Sequence, residues 1–464
     1  MMKLFYKVAL LSCFVMASCA VVLAQETEGY DGEKTYQAPS DPLVKEKIAH
    51  WQDLKFGLFM HWGTYSQWGI VESWSLCPED RKFTQRTGPN SGKWADYKKS
   101  YENLQTTFNP TAFNPEVWAN AAKDAGMKYV VFTTKHHDGF SMFDTKYTDY
   151  SITNAKTPFS KNPRANVTKE IFNAFGKNNF MIGAYFSKPD WHSEDYWWSY
   201  FPPKDRTESY DRKKYPDRWK RFTDFTFNQV QELMTGYGKV DLLWFDGDWA
   251  KMDMTPIVTM ARKEQPGIIV VDRHGKPEYV NYTTPEQKVP AKFMPHPWET
   301  CITMGKHWSF QQDDQFKPVK TLVQLLVDVV AKNGNLLLNI GPGPDGQWHK
   351  VATERLAEIG KWMRVNGESI YGTKPFAPYR EAQWAFTKNA SSRYLSYLPA
   401  DNEKDLPAKL LVPLKDSSSK TTVKLLGTEK KLVWTKTENG IEVSIPPAIV
   451  KQLSNQPVWV FKVI

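Results

Sequence analysis

The chain has 464 residues, 41% hydrophobic and 24% charged, which excludes a disordered protein and suits one large domain plus a smaller one. Aromatic residues reach 14%, with 19 Trp, an excess suited to ring-faced surfaces that stack on sugars or bases. The formal charge of +9 is spread without a dense basic run, so it reads as a solvated surface and no nucleic-acid partner is expected.

Residues 1–24 read as an export signal: Lys3 and Lys7 precede an apolar run over 8–15, then small residues up to Ala24. The run is too short for a membrane span, so no transmembrane segment is expected. Cleavage after Ala24 is the favoured reading, with lipid anchoring at Cys19 as the alternative; either places the protein in the periplasm or outside the cell. Residues 25–42 form an extended leader. Beyond the signal only Cys77 and Cys301 remain, and sequence leaves open whether they pair. No zinc-type Cys/His spacing and no glycine-rich cofactor loop appears, so neither a metal nor a cofactor is expected.

From residue 43 onward, apolar runs that stop at polar clusters alternate with helical periodicity. A strand over 56–60 ends in His61-Trp62-Gly63, and a long excursion follows with Glu72, Trp74 and Cys77. A helix over 114–126 leads to a strand over 129–134, closed by Lys135-His136-His137-Asp138-Gly139. A helix over 166–177 precedes a strand over 181–186 that carries Tyr185, and a long helix spans 217–236. The run 240–245 is apolar and stops at Asp246-Gly247-Asp248; Asp246 is either chemistry at a strand end or a cap for the next helix. A helix over 256–263 and a strand over 267–271 lead to Asp272-Arg273. Residues 276–308 lack a clear period, and 292–298 is the expected strand piece there. A helix over 321–332, a strand over 335–340 and a helix over 353–367 complete the unit.

This alternation predicts an α/β fold with a parallel sheet. Polar residues close many strands, which favours a TIM-like α/β barrel over 43–372 rather than an open sheet with one crevice. After Tyr371 short alternating runs and the turn Glu438-Asn439-Gly440 predict an antiparallel β-sandwich over 373–464. It shows no catalytic cluster and reads as an accessory module.

The rim so assembled holds His61, Glu72, Trp74, His136, His137, Tyr185, Asp246, Arg273, Glu286 and Glu299. Paired carboxylates among histidines and aromatics suit glycoside cleavage, one attacking the anomeric carbon and one donating a proton. Each histidine alone is more readily a hydrogen-bonded core or loop residue; three closing apolar strands are harder to dismiss.

The ordered set His61-Trp62-Gly63, Lys135-His136-His137-Asp138-Gly139-Phe140, Leu243-Trp244-Phe245-Asp246-Gly247, Asp272-Arg273, Trp298-Glu299-Thr300 and 334–342 resembles glycoside hydrolase family 29, the retaining α-L-fucosidases. The resemblance implies a catalytic barrel followed by a β-sandwich, and exo-acting removal of terminal α-L-fucose from fucosylated glycans. It implies Asp246 as nucleophile and His61, His136, His137, Tyr185, Trp244 and Arg273 as pocket residues. Glu72 and Trp74 carry over less directly, because Ser73 stands between residues that are adjacent in many members. For the acid/base, Glu286 is the first choice and Glu299 the second. A non-hydrolytic carbohydrate-binding relative, or a hydrolase of a related sugar such as α-L-galactose, is the alternative.

Overall fold

The computed structural model describes residues 36–86, 91–273 and 275–464. The expected export signal, Cys19 and the leader up to residue 35 lie outside them. Helix α1 (Pro42–Leu54) opens the fold: Asp41 accepts the Leu43 N–H at 2.8 Å, and Pro42 occupies the first turn, where its missing N–H is not needed.

Parallel strands follow: β1 (Phe56–Met60), β2 (Tyr129–Lys135), β3 (Met181–Ser187), β4 (Leu242–Asp246), β5 (Ile269–Asp272), β6 (Trp298–Thr303) and β7 (Gly334–Asn339). Every residue in them is buried, as a sheet covered on both faces requires. Their spatial order is β5-β4-β3-β2-β1-β7-β6. The two edges of this curled sheet are joined through residues 281–287, an irregular eighth stave. Asn281 donates its N–H to Val270 O at 2.9 Å on one side; Glu299 N donates to Thr283 O at 2.9 Å and Gln287 N to Cys301 O at 3.0 Å on the other. The α/β barrel therefore closes.

Helix α2 (Trp94–Glu102) lies in the excursion after β1. Outside the barrel run α3 (Pro115–Asp124), α4 (Val167–Lys177), α5 (Pro216–Gly236), α6 (Thr255–Glu264), α7 (Val319–Ala331) and α8 (Lys350–Asn366). Helix α1 plugs the barrel bottom with Val44, Ile48 and Trp51, which cluster with Phe59, Tyr129, Tyr185, Trp244 and Tyr282 inside. Gly57 makes room for this aromatic filling, since a Cβ there would sit 2.4 Å from the Tyr129 ring.

The strand expected over 292–298 is corrected: β6 begins at Trp298, and 292–297 carries no strand. Its sequence, Trp-Glu-Thr-Cys-Ile-Thr, lacks an apolar run because Glu299, Thr300 and Thr303 are hydrogen-bonded inside the fold. Cys77 and Cys301 are both buried and unpaired. Among the described residues no helix is long and apolar enough to cross a membrane.

The C-terminal strands are β8 (Lys374–Glu381), β9 (Trp384–Lys388), β10 (Arg393–Tyr397), β11 (Lys409–Val412), β12 (Val423–Leu425), β13 (Val433–Thr437), β14 (Gly440–Ser444) and β15 (Trp459–Val463). They form antiparallel sheets ordered β12-β15-β10-β9-β8 and β11-β14-β13, packed around Phe386, Leu395, Val412, Ile441, Val443 and Phe461. This sandwich leans on the barrel helices: Trp362 of α8 donates its indole N–H to Val458 O at 3.0 Å, and Gln324 of α7 donates to Pro399 O at 2.9 Å.

Candidate active site

Strand ends β1, β2, β3, β4 and β7 bring polar side chains to one rim, the end of an α/β barrel where chemistry is built. Asp246 closes β4. Its Oδ2 accepts the Tyr185 hydroxyl at 2.8 Å, and its Oδ1 accepts Arg273 Nη2 at 3.1 Å and the Gly247 N–H at 2.8 Å. Burial alone would push this carboxyl up; the Arg273 guanidinium and the Tyr185 hydrogen bond override it and hold Asp246 far below the usual carboxylate range. Asp246 is therefore an anchored anion, not a helix cap: α6 starts nine residues later, at Thr255.

The three histidines are buried and neutral. Burial lowers His61 to about 4 and His137 to about 3, and holds His136 well below its ordinary value. Their tautomers follow from their partners. Asn339 Nδ2 donates to Trp308 O at 2.7 Å, which turns Asn339 Oδ1 toward His61 Nδ1 at 2.7 Å. His61 Nδ1 thus carries the proton, and Nε2 keeps its lone pair. Ser187 donates its hydroxyl to Pro189 O at 2.7 Å, so it accepts from His137 Nδ1 at 2.8 Å. His137 Nε2, again a lone pair, stands 3.8 Å from Asp246 Oδ2. Two acceptors this close call for donors, and a substrate hydroxyl can donate to one of them. His136 Nδ1 pairs with Ser73 Oγ at 2.5 Å, so the residue that separates Glu72 from Trp74 orients a pocket imidazole.

Glu286 sits on the irregular stave at the same rim, its Oε2 bonded to Arg273 Nη1. Glu299 lies elsewhere: it is the second residue of β6, fully buried inside the barrel below the rim. Its Oε2 accepts the Tyr129 hydroxyl at 2.6 Å, and its Oε1 accepts the Tyr282 hydroxyl at 3.0 Å and the Trp244 indole N–H at 3.3 Å. Burial, partly offset by these donors, pushes it up to about 7.

Glu72 is buried, with φ +28°, and its Oε1 accepts the Ser309 N–H at 2.8 Å. Burial pushes it up to about 8, and the nearby Glu286 charge adds to the rise. Trp74 is half-buried with its ring 5.1 Å from that of His137, beside Trp249 at 5.4 Å. Arg206 lies over both indoles, at 4.9 and 5.1 Å, and is fixed by Glu79 through Nε and Nη2, each at 2.6 Å. Sequence reasoning missed Ser73, Ser187, Trp249, Trp308 and Asn339. Asn339 had a readable signal, since it closes an apolar strand just as His61 follows one.

His136, His137 and Asp246 offer donor atoms within 4.8 Å of one another, the spacing of a metal triad. The Arg273 guanidinium already neutralises Asp246 there, and a second cation beside it would be repelled. A separate cleft of about 640 Å³ lies between α8 and the sandwich, lined by Lys320, Trp362 and Trp459 among others. None of the strand-end residues lines it, so charge and geometry, not volume, locate the site.

The family model described as Alpha-L-fucosidase matches residues 23–368, and that described as Alpha-L-fucosidase C-terminal domain matches 386–464. The α-L-fucosidase of Branchiostoma floridae is 29% identical over 459 residues, covering 92% of this chain and 95% of that protein. Among solved structures, α-L-fucosidase isoenzyme 1 from Paenibacillus thiaminolyticus is 30% identical with a TM-score of 0.75, covering 91% of this chain and 99% of that one. The Thermotoga maritima α-fucosidase in complex with fucose is 25% identical with a TM-score of 0.72, covering 91% of this chain and 98% of that one. With the barrel, the sandwich and most of its length matched, the chain belongs to the α-L-fucosidase family, glycoside hydrolase family 29.

Proposed function

We propose that this protein is an exo-acting, retaining α-L-fucosidase in which Asp246 is the nucleophile and Glu286 the acid/base. The observation that carries the reading is the state of Asp246: ionised, held by Tyr185, Arg273 and the Gly247 N–H, and surrounded by neutral imidazoles whose lone pairs suit sugar hydroxyls. Oδ2 accepts a single hydrogen bond from Tyr185 and is the freer oxygen for attack.

Asp246 Oδ2 adds to the anomeric carbon of the fucoside while the bond to the glycosidic oxygen breaks. Glu286 gives its proton to that oxygen, releasing the aglycone as an alcohol. Water then gives a proton to Glu286 and attacks the same carbon, the Asp246 ester bond breaks, and fucose leaves with its configuration retained. Glu286 is favoured over Glu299 because it shares the rim and the Arg273 guanidinium with Asp246. One guanidinium reaching both carboxylates keeps them close, which is compatible with the roughly 5–5.5 Å spacing of retaining glycosidases. Glu299 has its carboxyl saturated by three donors inside the barrel.

His61, His136, His137, Tyr185 and Trp244 line the fucose pocket in this reading, with Glu72 and Trp74 at the corner facing the aglycone. The substrate is a fucosylated glycan, and the charged start and apolar run of residues 1–24 support export.

The test is release of 4-nitrophenol from 4-nitrophenyl α-L-fucoside by the wild type, Asp246→Ala and Glu286→Ala, with and without azide. Asp246→Ala should lose about 10⁴-fold and give β-L-fucosyl azide, and Glu286→Ala with azide should give the α-azide. A wild type silent on this substrate but active on the α-L-galactoside, or one that only binds fucose, would overturn the reading.

A further inference from the structure

Glu299 is a fully buried carboxyl whose three hydrogen-bond donors are all uncharged, an arrangement that costs stability unless its oxygens are satisfied. Here three donors satisfy it: the hydroxyls of Tyr129 and Tyr282 and the indole N–H of Trp244. The surroundings are rigid. Trp51 of α1 stacks on Tyr282 with centroids 4.2 Å apart, and Tyr129 fills the space left by Gly57.

Trp244 precedes Asp246 by two residues on β4, so the two side chains share one strand face and the indole lies one layer below the carboxylate. Its ring stacks on that of Tyr185, with centroids 5.5 Å apart and planes 22° from parallel. The Arg273 guanidinium carbon stands 5.6 Å from the same indole. Among the described residues, Tyr185 and Arg273 are the two side chains that donate to Asp246. A tilt of Trp244 would therefore move both.

We infer that Glu299 is a positioning residue: by accepting the Trp244 indole N–H it fixes the ring on which both side-chain donors to Asp246 rest. The inference builds on the assignment of Asp246 as nucleophile. A lone acceptor on Trp244 would leave the ring free to rock about that one hydrogen bond; a carboxyl clamped by two tyrosines does not move. Methionine at 299 would fill similar volume and offer the indole only a weak acceptor. Glutamine would restore the lock, because its Oε1 can accept from Trp244 and Tyr282 while the Tyr129 hydroxyl accepts its amide N–H.

The experiment is steady-state kinetics on 4-nitrophenyl α-L-fucoside for Glu299→Met, Glu299→Gln, Trp244→Phe and the double variant Trp244→Phe/Glu299→Met, with azide added in a parallel set. Glu299→Met should lower kcat roughly 10- to 100-fold, the scale of a misplaced reacting group, with KM changed less than about 3-fold. Glu299→Gln should return kcat to within about 3-fold of the wild type, and the Met substitution should cost less than about 2-fold once Trp244→Phe is present. An inactive Glu299→Gln, azide rescue of Glu299→Met, or full additivity in the double variant would overturn the proposal. If Glu299→Met does not fold, Tyr129→Phe and Tyr282→Phe decide: each loosens the clamp on the carboxyl and should lower kcat about 3- to 10-fold with KM changed less than about 3-fold, and wild-type kcat in both would overturn the proposal. A wild type inactive on the fucoside would instead sink the reading of the site itself.

Discussion

Arg273 holds Asp246 through Nη2 at 3.1 Å while its Nη1 engages Glu286, so one guanidinium is shared by the two carboxylates assigned to the chemistry. Each depends on the geometry of the other through a planar fork.

Arg273→Lys should therefore behave as a severe change. A lysine ammonium is a point charge and cannot span both partners. We expect kcat/KM on 4-nitrophenyl α-L-fucoside to fall about 100-fold or more, with a smaller change in KM than in kcat. With the bidentate cation gone, burial raises the Asp246 carboxyl toward the ordinary range, so the acid limb of the kcat/KM profile should move to higher pH. A lysine variant within a few-fold of the wild type would rule out the shared-fork role.

The buried histidines make a second prediction. His61 at about 4 and His137 at about 3 are neutral through the working range, so the kcat/KM profile should lack a histidine limb near 6.5. Both folded values lie below the unfolded value of about 6.5. Their contribution to stability is thus complete above 6.5 and is lost as pH falls toward 4 for His61 and toward 3 for His137. Nitrogen-15 NMR of the imidazoles should show the Nδ1–H tautomer at both positions at pH 6, and an imidazolium there would refute the tautomer argument.

Glu72 shifts in the opposite sense. Its folded-state value of about 8 lies above the unfolded value of 4.5, so its contribution is present below 4.5 and lost as pH rises to 8. Glu72→Gln should flatten the decline of melting temperature between pH 5 and pH 8, a slope of roughly 1.4 kcal/mol per pH unit at most for one group. Parallel melting curves for wild type and variant across that window would show that Glu72 is ionised in the fold.

Gly247 is a fourth test point, chosen for backbone reasons. Its φ is +83°, and a Cβ there would sit 2.2 Å from Pro189 Cδ. Gly247→Ala should cost about 2–4 kcal/mol in urea unfolding. It should also lower kcat more than KM, because the Gly247 N–H donates to Asp246. An alanine variant with wild-type stability and turnover would contradict this geometry.

Much of the fold was legible in the sequence, and for stated reasons. Barrel strands such as 129–134 and 335–340 are built on apolar runs, Tyr129 to Phe132 and Leu336 to Leu338, because both faces are covered, and the polar residues that close them mark the rim. Strand β6 was misread because its polar residues are satisfied inside, so Glu299 looks in the sequence like a rim residue and in three dimensions lies below it. Strand β8 carries no alternating pattern because it contains Pro375 and Pro378 and breaks register between Pro375 and Arg380. Ser73 and Ser187 were illegible: a serine that orients an imidazole carries no local pattern, since its partner is 63 residues away for His136 and 50 away for His137.

The stave over 281–287 bears Glu286 and is tied to its neighbours by scattered hydrogen bonds instead of a regular ladder. A ladder transmits any insertion as a change of register that turns side chains to the wrong face. An irregular seam absorbs it locally. Glu286, the proposed proton donor, thus rides on a part of the barrel wall whose length can change without rethreading the rest, while Asp246, the proposed nucleophile, ends a regular strand.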